Sequence, residues 1–183
     1  MAKSVSRWWY AVAIALAVGG FFVRSPGARG QLLLLAWIWP VLIWSPMGCR
    51  ERYEGTSQLI FSASSALRLQ LPAQWCAGFI VTLLTGSGVL LSMVLTQDIA
   101  KLAAWVAAAM FIPSFALALG ATTGTRKAFE ILYVSLCYVG PLNGVVALDF
   151  MGVGSSPNAS VWLVLALMCA GIAFVARWRG LNR

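Results

Sequence analysis

Apolar residues in this chain come in long blocks parted by short polar or charged stretches, over residues 8–23, 31–47, 75–96, 102–121, 127–148 and 160–176. Each block approaches the ~20 residues that a helix needs to cross a hydrocarbon core about 30 Å thick. The pattern predicts an all-α integral membrane protein, a single transmembrane domain over residues 1–183 with about six transmembrane helices. The first block follows Lys3 and Arg7 and opens with Trp8, Trp9 and Tyr10. No clear A-x-A site precedes Arg24 and another block follows at once, so it reads as a retained span and not as a cleaved signal peptide. A turn is expected at 25–30. Pro40 is expected to kink the second block; Pro113 and Pro141 lie inside the fourth and fifth.

Between the second and third blocks the pattern changes. Residues 49–74 mix Arg50, Glu51, Arg52, Glu54 and Arg68 with apolar and small side chains. Leu59, Ile60, Ala63, Ala66, Leu67 and Leu71 recur at steps of three and four, while Gln58, Ser62 and Ser65 share the opposite face. That is the periodicity of an amphipathic helix, which lies in a membrane interface or packs on a partner.

Composition sharpens this picture. Of 183 residues, 61% are apolar and 10% charged, against about 45–50% and 25% in soluble domains. The charges collect between the blocks or at their ends. With both termini on the cytoplasmic side, ten Lys and Arg fall there (Lys3, Arg7, Arg50, Arg52, Arg68, Arg126, Lys127, Arg177, Arg179, Arg183) and three fall opposite (Arg24, Arg29, Lys101). The positive-inside bias favours that orientation and leaves 49–74 facing the cytoplasm. The net charge of +8 is scattered in pairs and forms no basic stripe, which fits lipid headgroups better than nucleic acid.

Candidate chemistry is sparse. The chain has no His, and its four Cys show no ligand spacing; no cofactor or metal is expected. The stretch GATTGTRK at 120–127 approaches a phosphate-binding loop but places Thr125, Arg126 and Lys127 where Gly, Lys and Ser/Thr are required. It reads as a turn, so the chain is not expected to be an enzyme. Glu130 reads as a helix-start carboxylate or a partner of Arg126 at the i, i+4 spacing, and Asp149 as an interfacial residue closing the fifth block. Gly140, Asn143 and Gly144 form a small-xxx-small step with an amide able to bond between helices, and are expected at a helix contact. Asn158 to Ser160 matches a glycosylation triplet that recurs by chance.

The segment 50–63, with Glu51, Arg52, Glu54, Gly55, Thr56 and Gln58, and then Arg68 and Pro72 at a turn, resembles the region after the second span of type-2 ABC exporter permeases. The order of parts is similar too: two spans, this segment, then four more spans. The resemblance implies that Glu51, Arg52, Glu54, Gly55, Thr56, Gln58 and Arg68 couple the chain to a separate ATP-binding subunit. It also implies a homodimer, or a heterodimer with a related permease, in a bacterial cytoplasmic membrane. The chain departs from the family in being short, with only 149–159 between its last two blocks. A structural or assembly subunit that transports nothing is the alternative reading.

Overall fold

A computed structural model of the protein describes residues 7–23, 25–50, 55, 66–152 and 158–181. Among these the regular elements are α1 (Arg7–Phe22), α2 (Pro26–Ile38), α3 (Val41–Trp44), α4 (Ala66–Leu95), α5 (Ile99–Thr123), α6 (Arg126–Cys137), a π turn (Tyr138–Leu142), a 3-10 turn (Val146–Leu148) and α7 (Ala159–Leu181). All regular structure among the described residues is helical. Four stretches are long and apolar enough to cross a membrane: Gly27–Trp44, Leu69–Leu95, Ile99–Thr123 and Ala159–Arg179. The first block makes a helix of 16 residues, about 24 Å at 1.5 Å per residue. The fifth is not one continuous helix, because α6 ends after 12 residues in the π turn.

Local chemistry accounts for most of the boundaries. Ser25 accepts from the Ala28 N–H and Pro26 opens α2, so helix already occupies 26–30, where a turn was expected. Pro40 separates α2 from α3, as a residue without an N–H should. Asp98 caps α5 by accepting from the Lys101 N–H, and Gly124 closes that helix at a φ of +69°. Where Arg68 to Pro72 suggested a turn, α4 runs on through Pro72. The bond that Pro72 forfeits, to the carbonyl four residues earlier, falls within the first two turns and costs α4 little of its ladder.

Contacts between helices set their directions. Trp37 Nε1 donates to the Thr82 carbonyl at 3.3 Å and Trp44 Nε1 to that of Gly78 at 3.1 Å, so α2 and α3 run against α4. Trp75 Nε1 donates to Ser114 Oγ at 2.9 Å, and a Cβ on Gly86 would lie 2.8 Å from the Trp105 ring, so α4 runs against α5. The two-residue link 124–125 turns α6 back along α5, with Phe129 against Phe115. Trp162 packs on Phe111, and ten residues further along α7 Ile172 sits by Thr122. Hence α7 runs parallel to α5. With α2 and α3 taken as one broken helix, the helices from there on alternate in direction, as helices crossing a slab in turn must.

The core surrounds α5, the most buried of the apolar helices. Ala104, Ala107, Ala108, Ala109 and Ala116 let neighbours approach closely, the usual means of helix association where lipid removes the hydrophobic drive. Around them stands an aromatic seam in which Tyr133 stacks on Phe129 at 5.1 Å and Phe150 meets Phe111, Tyr133 and Trp162 at 5.7–5.9 Å.

Candidate functional site

At the end of the bundle where α5 finishes, the turn after α3 lies backbone to backbone on that helix. A Cβ on Gly120 would collide with the Met47 carbonyl, and one on Gly48 would stand 2.8 Å from the Leu117 carbonyl. Gly48 also has a φ of +80°, a conformation that suits glycine. Cys49 is buried beside this contact. On the two sides of residues 51–65 the chain is held to α5: before them Met47 and Cys49 lie against its last turn at Gly120, and after them α4 buries Leu71 and bonds Trp75 to Ser114, short of the end of that helix. Arg126 and Lys127 begin α6 at the same end, and the last turns of α7 carry Arg177 and Arg179 there.

Glu51, Arg52, Glu54, Thr56 and Gln58 lie outside the described residues. Gly55 is exposed in a turn at a φ of +67°, with open space where a Cβ would stand. Arg68 lies in the first turn of α4, in helix and not in the turn expected there.

Gly140, Asn143 and Gly144 are brought together, but on a different contact from the interhelical one expected. A Cβ on Gly140 would collide with the Leu148 carbonyl, so the small residue admits the chain's own return strand. Asn143 Nδ2 donates to the Tyr138 carbonyl at 2.8 Å within the same segment, and Gly144 ends the π turn at a φ of +71°. Together they make a fold-back: the chain rises through α6 and the π turn, reverses at 143–145, and descends through the 3-10 turn to Phe150.

That fold-back moves Asp149. Read from sequence as interfacial, it is buried, beside a residue that packs midway along α5. The glycines at 144 and 152, both at positive φ, were the legible sign that the segment turns. Sequence reading also missed Gly48 and Gly120, whose only signal was a Pro-Met-Gly turn at 46–48 and glycines spaced four apart at 120 and 124.

At the opposite end, Lys101 Nζ pairs with the Asp98 carboxylate at 3.0 Å. The Lys101 side chain and N–H, with Arg29 nearby, hold that carboxyl below its ordinary value. Buried Thr82, Thr85, Ser92 and Ser114 donate to carbonyls of their own helices, which satisfies them without water. Among the described residues, no group of three or more His, Cys, Asp or Glu converges to hold a metal ion.

Compared with protein-family models, curated proteins and solved structures, the chain finds no match.

Proposed function

We propose that the chain is the membrane-spanning permease subunit of an ATP-driven exporter in a bacterial cytoplasmic membrane, carrying no ATPase residues itself. In this reading α1 and the α6 fold-back complete a set of six spans, and both termini and segment 49–74 face the cytoplasm. Two copies, or one copy beside a related permease, enclose the substrate path. A separate ATP-binding subunit docks on Glu51, Arg52, Glu54, Gly55, Thr56, Gln58 and Arg68.

One observation carries the reading: the turn before segment 51–65 is fastened on the last turn of α5, where the basic residues of α6 and α7 gather, and α4 after it is bonded to the same helix through Trp75. A partner moving this segment pushes on the Met47–Gly120 contact and on α4 through Trp75. Because packed helices shift as rigid bodies between discrete arrangements, such a push reaches the spans. The burial of α5 makes it the element through which neighbours on either side feel the movement.

A second reading, a structural or assembly subunit, draws on α7. Its membrane-length stretch is only 17% buried, the least of the four, leaving an apolar face for lipid or another chain. The two readings separate on purification from native membranes with natural partners. The exporter reading expects a stand-alone ATPase to co-purify, and Glu54→Ala or Gly55→Val to weaken its capture while membrane abundance holds. If those variants alter neither capture nor transport, the segment is a passive anchor and the assembly reading stands.

A further inference from the structure

The apolar face of α7 is not uniform. Where it leaves α5, Met168, Gly171, Ile172 and Val175 line an open groove of about 480 Å³ that runs along the helix past Thr122 and ends at Arg179. The Thr122 hydroxyl donates to the Ala118 carbonyl at 2.7 Å, so its hydrogen is already committed. Among the described residues that line the groove, Arg179 is the one charged group. Lys127, Arg126 and Arg177 stand at the same end of the bundle.

We propose that this groove binds one anionic phospholipid, an acyl chain lying along Met168, Gly171 and Ile172 and the headgroup phosphate on Arg179. Charge selects a lipid over a second copy of the chain: the groove is apolar but for Thr122, whose hydrogen is committed, and it carries a cation at its mouth. A phosphate there meets a guanidinium able to bond it in bidentate fashion, and basic side chains at a membrane surface attract anionic lipid by a factor of about five each. The site is independent of exporter activity and requires only that α7 lies in a bilayer.

Gly171 supplies a clean test, because a Cβ there meets nothing within 4 Å, so a larger side chain enters the groove without a clash at its root. The full chain, purified in neutral detergent, is titrated with phosphatidylglycerol and phosphatidylcholine of matched acyl chains and, separately, with glycerol phosphate. Bound lipid is counted by native mass spectrometry, and thermal midpoints are recorded alongside. The expected result is a preference for phosphatidylglycerol of about fivefold or more, no effect of glycerol phosphate, loss of the preference in Arg179→Gln, and loss of binding of both lipids in Gly171→Leu. Arg179 is exposed, so its variant keeps the fold even if Gly171→Leu does not. Equal binding of the two lipids overturns the proposal, as does a full effect of glycerol phosphate alone. So does a Gly171→Leu variant that binds lipid normally but changes from one oligomeric state to another, which would assign the face to a second copy.

Discussion

Gly120 of α5 and Met47, in the turn after α3, meet so closely that any side chain at 120 would collide with the Met47 carbonyl. The glycine there is a contact surface, on which the turn before segment 51–65 lies backbone to backbone. Replacement by Ala gains up to about 1 kcal/mol of helix propensity but must displace a backbone group, at about 1–3 kcal/mol. Gly120→Ala is therefore expected to lower the thermal midpoint in detergent, whereas Gly171→Ala, in open space, leaves it unchanged or raises it. Equal midpoints for both variants would show that the turn yields freely.

The tryptophan bonds that join α2 and α3 to α4 are expected to matter for shape more than for the hydrogen bond. Trp37 Nε1 donates to the Thr82 carbonyl at 3.3 Å, an oxygen that also serves its own helix. Trp37→Phe should cost about 0.5–1.5 kcal/mol. Trp37→Ala should cost about 3–5 kcal/mol, because a fully buried indole leaves a cavity. Trp178, exposed on α7, serves as the comparison in reversible unfolding and should tolerate Phe within about 0.5 kcal/mol.

Acid should loosen the α4–α5 turn. Lys101, by its side chain and then its N–H, holds the Asp98 carboxyl below its ordinary value. A group whose pKa is depressed by folding adds stability that is present above its unfolded pKa and is lost as pH falls through its folded pKa. The thermal midpoint is expected to fall from about pH 5 downward, and Asp98→Asn, which keeps a capping oxygen, should flatten that part of the profile. An unchanged acid limb in Asp98→Asn would assign the loss to other carboxylates.

Orientation is open to direct labelling. In a background with Cys49, Cys76, Cys137 and Cys169 replaced, a cysteine at Gln97 should react with an impermeant reagent from outside the cell, and one at Gly124 only after permeabilisation. These positions cap opposite ends of α5. The reverse pattern would invert the proposed topology and place segment 49–74 outside.

Much of the architecture was legible without coordinates. Unbroken apolar blocks bounded by charges located the four membrane-length apolar stretches among the described residues, because a helix that satisfies its own backbone is the cheap solution for such a run in lipid. The kink expected at Pro40 was also readable, and it falls where α2 gives way to α3.

Tertiary contact decided the rest. Proline alone did not separate Pro113, buried inside a continuous α5, from Pro141, where α6 gives way to a π turn. What differs is the neighbour. Gly140 lets the returning chain at Leu148 press against its backbone, and Gly144 supplies the reversal, so the fifth block folds back and carries Asp149 into the interior. The Gly48–Gly120 contact was equally hidden. A close approach between two backbones leaves glycines in the sequence, but which glycines face each other depends on how the helices pack, and no local pattern encodes that.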